Sequence, residues 1–159
     1  MTPIPLPRHH PAPPFEAADP QGRPVALRDY RFRRDLLLAL LHGPGCPHCE
    51  RIAGEMTEHR EGWEKWGTAA LVLQSEEGRP LEVPFRVGFD PEGAIRRRYS
   101  GGGEAEVVLA LIDHRGRLME GWSLAHPAPV DWGEVERTAC WVAVQEPECG
   151  ACEVLPGWE

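Results

Sequence analysis

Residues 34–56 read RDLLLALLHGPGCPHCERIAGEM, and the fold turns on how the two halves of this stretch meet. The apolar run at 36–41 is short, unbroken and stopped by Gly43-Pro44-Gly45. A run of that length with that stop predicts a central strand buried on both faces. Cys46-Pro47-His48-Cys49 comes next, and Pro47 suits a first helical turn, where a missing N–H leaves no bond unmade. Ile52, Met56, Trp63 and Trp66 then follow at steps of four, seven and three, which predicts one apolar face of a helix starting near Cys46 or Pro47. Gly54 and Gly62 predict that this helix bends or ends early.

Working outward, the residues before this stretch contain six prolines within positions 1–14 and predict an extended arm with polyproline II character. Gln21-Gly22-Arg23-Pro24 reads as a turn, followed by a short strand at Val25-Ala26-Leu27. On the other side, AALVLQ (69–74) predicts a second buried strand, and 76–90 reads as connection with a short extended piece around Phe85. Asp90 and Pro91 predict the N-cap and first position of a helix reaching Tyr99. The triple Arg96-Arg97-Arg98 reads as its solvated face. VVLALI (107–112) predicts a third buried strand, a turn at 113–116 returns the chain antiparallel over 117–123, and Asp131 with Glu134 predicts a capped last helix. The order β–β–α–β–α–β–β–α with apolar central strands indicates one sheet between helices.

The chain has 159 residues, 42% of them apolar and 26% charged, values of a single globular domain with one core. Its net charge of −8 argues against a nucleic acid or an anionic membrane as partner, since both favour basic surfaces. The first residues lack the apolar core of a signal peptide, and the apolar runs are too short to span a bilayer, so the reading places the protein in the cytoplasm. In that compartment, cysteines two residues apart serve redox chemistry or metal binding more often than structural bridging.

Cys46 and Cys49 sit where a buried strand gives way to a helix, the edge at which open α/β sheets place their sites. Unpaired N–H groups and the positive end of the helix dipole favour a thiolate there. Cys46, nearer the loop, is the expected attacking thiol, and Cys49, one turn further in, the expected resolving thiol. Pro47 restricts the backbone between them. His48 is expected as a cationic or hydrogen-bonding group between the two sulfurs, completing the candidate set Cys46, Pro47, His48 and Cys49. Alternatives stay open: an inert pair of buried cysteines, half of a zinc site, a peroxidase thiol, and a module holding zinc or copper(I) with the cysteines and His48 or His42.

The strand LLLALLHGPG, the motif CPHC and the helix after it resemble the thioredoxin superfamily. Three further passages are similar to its AhpC/TSA and redoxin branch, which includes peroxiredoxins and TlpA/ResA-like thiol-disulfide oxidoreductases. PFEAADPQGRPVALRDY (14–30) matches the branch's N-terminal hairpin, VPFRVGFDPEGAIRRRYSG (83–101) its D-P-x-G segment, and VVLALIDHRGRL (107–118) its strand and turn. The resemblance implies an α/β, thioredoxin-like fold over residues 14–145, a central mixed β-sheet flanked by helices, after an arm at 1–13 and before a tail at 146–159. It implies thiol-disulfide exchange, with Cys46 as nucleophile and Cys49 as resolving cysteine. Protein or small-molecule disulfides and a thiol electron donor would be the partners, with no cofactor. CPHC is also the motif of DsbA-type disulfide oxidases, a match of four residues that carries no direction of reaction.

Several positions depart from the family patterns. The peroxiredoxin signature P-x-x-x-T-x-x-C would place its threonine at Gly43 and its proline at Ala39, so the hydroxyl that positions peroxide is missing. The aromatic residue that precedes the first thioredoxin cysteine is Gly45, and the buried acid falls on Leu40. His42, Glu50 or water would have to serve Cys49 in place of that acid. The cis-proline of the family would align near Val107, which is not a proline.

A second pair, Cys149 and Cys152, lies in the tail. A four-cysteine zinc site joining both pairs would bridge an unusually long separation and consume the proposed nucleophile. The tail pair reads instead as a surface pair, a local disulfide or a relay to Cys46 and Cys49. Cys140 reads as a small apolar residue inside the last helix.

Overall fold

A computed structural model describes residues 1–102 and 107–145. Its elements follow from the centre outward. The expected buried run is strand β5 (Leu36–Leu41), each of whose residues is at most 1% exposed. It pairs in parallel with β6 (Ala69–Gln74) and antiparallel with β8 (Val107–Ile112), so both of its edges are hydrogen-bonded. Among the described residues the sheet has nine strands. Beyond β6 come β7 (Arg86–Phe89), β3 (Glu16–Ala18) and β4 (Pro24–Ala26); beyond β8 comes β9 (Arg117–Leu124), with β1 (Thr2–Pro3) and β2 (His10–Pro11) both along its outer edge.

The pleat divides the core in two. Leu37, Ala39 and Leu41 face helices α1 (Pro47–Glu64) and α3 (Trp132–Val144), whereas Leu36, Leu38 and Leu40 face α2 (Ala94–Tyr99). With side chains alternating between faces, a strand that is apolar at every position has to be covered on both sides. Burying each of its leucines contributes about 1.5–3 kcal/mol. The first face adds Ile52, Met56, Trp63, Trp132 and Val135, and the second adds Phe15, Ile95 and Tyr99. The result is a mixed sheet flanked by helices, as expected. No helix among the described residues is long and apolar enough to cross a membrane.

The proline-rich start lies along β9. Ile4 N–H donates to Gly121 O at 3.0 Å and His9 N–H to Leu118 O at 2.7 Å. Gly121 leaves room for the Ile4 side chain, since a Cβ there would stand 2.3 Å from Ile4 Cδ1. The segment thereby satisfies much of an edge that would otherwise present unpaired backbone groups. The two sharp turns of the chain share one construction. Asp19 accepts from Gln21 N, Arg23 N and Arg23 Nε, and Asp113 accepts from Arg115 N, Arg117 N and Arg117 Nε. Each D-x-x-G-R turn folds around a single carboxylate.

Some local expectations change. Trp66 lies beyond the end of α1 and is 38% exposed, so it does not extend the apolar face. Gly54 and Gly62 do not stop α1, which runs unbroken over 18 residues. Gly62 instead admits α3 closely, since a Cβ there would sit 2.3 Å from Glu136 Cδ. The extended piece near Phe85 is a full member of the sheet, β7.

The helix expected from Asp90 is also divided. Pro91–Gly93 forms a 3₁₀ turn with Glu92 at φ 59° and Gly93 at φ 66°, and α2 starts only at Ala94. The Asp90 carboxylate still caps it, accepting from Ile95 N at 2.8 Å and Arg96 N at 3.0 Å across that turn. In α3, Asp131 accepts from Glu134 N as the capping box requires, but the Glu134 carboxylate turns to Trp122 Nε1 at 3.1 Å. Asp90→Ala should lower the unfolding free energy by about 1–3 kcal/mol, because it strips two helix donors, one of them buried, of their acceptor. Urea denaturation should show a lower midpoint at an unchanged slope.

Candidate active site

The end of β5 and the start of α1 bring three reactive side chains together. Cys46 is the N-cap of α1, with extended backbone (φ −110°, ψ 110°), and its N–H closes a turn onto Gly43 O at 3.1 Å. Its thiol is half-buried at the helix terminus. Cys49, one turn further along, is fully buried, and its sulfur accepts the His42 N–H at 3.2 Å. Burial pushes the Cys49 thiol up to about 11; donation from the His42 and Gly43 amides opposes this, and the neighbouring Cys46 adds to the rise. Cys49 therefore keeps its proton at neutral pH, and the accessible member of the pair is Cys46. The two sulfurs and a ring nitrogen of His42 all lie within 4.8 Å of one another.

His48 does not stand between the sulfurs. From the first turn of α1 its buried ring points to the loop after β9, where Nε2 donates to Ala128 O at 3.0 Å. The carbonyl can only accept, so the hydrogen is assigned to Nε2, and Nδ1 is a buried atom without a hydrogen-bond partner. The ring also packs edge-on against His126, with centroids 4.9 Å apart. Arg51 joins it, donating to Ala128 O at 3.0 Å and Pro127 O at 3.1 Å. His48 thus ties the loop around the cis His126–Pro127 peptide to the helix carrying the thiols. Pro47, exposed at the first helical position, serves the backbone as expected. The histidine that reaches the thiols is His42, with Nδ1 3.9 Å from Cys49 Sγ.

Two further residues shape the approach to Cys46, and neither carries a motif in the sequence. Gln74, the fully buried last residue of β6, donates from Nε2 to Glu76 O and Arg79 O and accepts Leu81 N–H at 2.8 Å. It holds the following loop in one conformation. That loop lays Glu76 over the loop before Cys46: Glu76 N–H donates to His42 O at 2.7 Å, and its carboxylate accepts Gly45 N–H at 2.9 Å. The glycines before Cys46 follow from this packing. A Cβ on Gly43, which sits at φ 145°, would fall 2.6 Å from Glu76 Cβ, and one on Gly45 would meet only the mobile end of that side chain, at 2.9 Å.

Cys140 is half-buried in α3 and does not belong to this cluster. Cys149 and Cys152 lie outside the described residues. The arginines of α2 are partly engaged: Arg96 donates to Ser75 Oγ, Arg97 to Glu92 O and Arg98 to Pro14 O.

No protein-family model matches the chain, and no curated protein is significantly similar to it in sequence. Solved structures are similar in shape. A Chlorobium tepidum protein provisionally named thiol:disulfide interchange protein DsbE superposes with TM-score 0.70 at 20% identity, covering 87% of this chain and 99% of its own. The fold is thioredoxin-like. A Bacteroides thetaiotaomicron protein provisionally named protein disulfide isomerase gives TM-score 0.69 at 18% identity over 91% of this chain and 96% of its own. The mitochondrial 2-Cys peroxiredoxin of Plasmodium falciparum gives 0.65 at 17% identity over 83% and 91%.

The contrast between the two glycines tests how Glu76 shapes the site. Gly43→Ala should cost about 1–3 kcal/mol, since the new methyl group meets the root of Glu76 and the residue holds a positive φ. Gly45→Ala should cost less than half as much. Equal losses in thermal denaturation would show that Glu76 does not dictate either glycine.

Proposed function

We propose that the protein is a thiol-disulfide oxidoreductase working through Cys46 and Cys49. The observation that carries this reading is the inequality of the two thiols: one half-exposed at a helix N-terminus, the other buried and protonated one turn further in. The Cys46 thiolate attacks one sulfur of a disulfide, forming a mixed disulfide while the leaving sulfur departs as a thiolate and takes up a proton. The Cys49 thiol then loses its proton and attacks Cys46 Sγ, releasing the second thiol and closing a Cys46–Cys49 disulfide. An external dithiol donor restores both thiols. The substrate loses one S–S bond and gains two S–H bonds, and the two electrons come from the donor.

The His42 and Gly43 amides directed at Cys49 support its role, because they stabilise negative charge on that sulfur as the proton leaves. The 125–130 loop is anchored to α1 through His48 and Arg51, and the Glu76 loop to the segment just before Cys46, so both meet the end of the helix that carries the thiols. Partners of this kind are protein or small-molecule disulfides and a thiol reductant. The peroxidase reading has the likeness of shape to peroxiredoxins in its favour. Against it stands the site itself, where Gly43 replaces the peroxide-positioning threonine and a carboxylate lies over the loop before the thiol.

Cys46→Ser should abolish reduction of insulin by the protein in the presence of dithiothreitol, while the far-ultraviolet circular dichroism spectrum stays unchanged. Full retention of turnover would exclude Cys46 as the nucleophile. Cys49→Ser should accumulate a mixed disulfide with a model substrate, seen by mass spectrometry as a covalent adduct at Cys46. Brief iodoacetamide treatment of the reduced protein at pH 7 should label Cys46 and spare Cys49, whose burial and raised pKa protect it. Equal labelling of both sites would contradict the division of roles.

A further inference from the structure

The cluster at the end of β5 is also a ligand set, and we propose that the reduced protein binds one copper(I) ion through Cys46 Sγ, Cys49 Sγ and the imidazole of His42. The two sulfurs and the imidazole nitrogen already lie within 4.8 Å of one another, and Cys49 Sγ and His42 Nδ1 are 3.9 Å apart. With metal–sulfur bonds of about 2.3 Å and metal–nitrogen bonds of about 2.0 Å, a sulfur and a nitrogen stand about 3.7 Å apart in a trigonal plane and about 3.5 Å apart in a tetrahedron. The 3.9 Å between Cys49 Sγ and His42 Nδ1 lies close to both, so the cluster closes on a metal with only side-chain adjustment.

The donor types narrow the choice of metal. Two thiolates and an imidazole are soft ligands, suited to copper(I) or zinc. Structural zinc takes four protein ligands, and among the described residues no fourth histidine, cysteine, aspartate or glutamate joins the three, so zinc here would have to take its fourth ligand from water. Copper(I), a monovalent d10 ion, is content with three. His48 lies outside this cluster, its ring held at Ala128 O and against His126.

The surroundings suit a metal thiolate as well. The His42 amide donates to Cys49 Sγ at 3.2 Å and fixes that sulfur, the outer-sphere support that metal sites commonly use. Cys46 and the His42 ring are half-exposed and offer a way in. Binding replaces two S–H protons by one Cu⁺, releases both protons to solvent and moves no electrons. Closure of the Cys46–Cys49 disulfide removes both thiolates, so the oxidised protein is expected to release the ion. The inference rests on the thiols of the proposed exchange reaction and adds the His42 imidazole, whereas that reaction draws on the His42 backbone amide.

The test uses the full chain carrying Cys149→Ser and Cys152→Ser, so that the tail thiols do not compete. The reduced protein is titrated anaerobically with copper(I) supplied as its acetonitrile complex, against the chromogenic chelator bathocuproine disulfonate. One equivalent should be retained. His42→Ala should weaken retention at least about tenfold, the smallest loss common even for outer-shell partners. Cys46→Ser should weaken it further, and the oxidised protein should retain none. X-ray absorption of the loaded protein should show two sulfurs and one nitrogen.

His42→Gln, with its melting temperature recorded, separates ligand loss from misfolding: a folded variant with weakened copper retention supports the site. Unchanged retention in a folded His42 variant would overturn the proposal, as would four-coordinate zinc displacing copper(I) at equal concentration. Insulin reduction by the metal-free wild type, measured beside the copper titration, keeps the two readings apart. Turnover in a wild type that retains no copper would overturn the copper site alone, and copper binding intact in a wild type that reduces no disulfide would fail the exchange reaction alone.

Discussion

Strand β5 has no solvent side and no free edge. Its six residues alternate between two cores, and its backbone is paired with β6 on one side and β8 on the other. Everything at the site hangs from this strand. It ends at Leu41, the chain leaves the sheet through His42 and two glycines, and α1 begins on Cys46. A slip of one residue would carry Leu37, Ala39 and Leu41 into the core that Leu36, Leu38 and Leu40 fill, and the reverse, so the shapes of the two cores hold the register. The position of the thiols is therefore set by the packing of apolar residues that take no part in the chemistry.

Around that fixed end, three polar contacts made from other parts of the chain complete the site. Gln74 orders the loop after β6, which brings Glu76 against Gly43 and Gly45. His48 and Arg51 gather Ala128 O and so hold the loop after β9 beside the helix terminus. The His42 amide meets Cys49 Sγ. Buried polar groups of this kind are matched by partners because an unmatched one costs about 1–3 kcal/mol. The Nδ1 atom of His48, buried without a partner, departs from that rule.

Much of the fold was legible in the chain. The runs at 36–41, 69–74 and 107–112 are too apolar to sit anywhere but the middle of a sheet, and the Gly-Pro-Gly stop followed by Pro47 marks the passage from strand to helix. Errors arose where long-range packing overrode a local rule. Gly62 looked like a weak point in α1 but is the place where α3 comes near through Glu136. Asp90-Pro91 looked like a helix start, yet Glu92 and Gly93 adopt positive φ and the carboxylate caps α2 across a gap. The extended piece expected near Phe85 proved to be the strand β7, whose pairing with β6 is invisible in sequence because it is only four residues long.

The sequence by itself determined the buried central strand, the helix that follows it, and the candidate thiols at their junction, since periodicity, apolar runs and proline placement are local properties. It did not determine which histidine serves those thiols. His48 lies between the cysteines in the chain, but a helical turn points its ring at Ala128, whereas His42, four residues before Cys46, stands beside Cys49 because the strand and the helix fold back on one another. Glu76 and Gln74 likewise enter the site only through the pairing of β5 with β6. Neighbours along the chain are set by covalent order and neighbours in the site by packing, and at this junction the two orders differ.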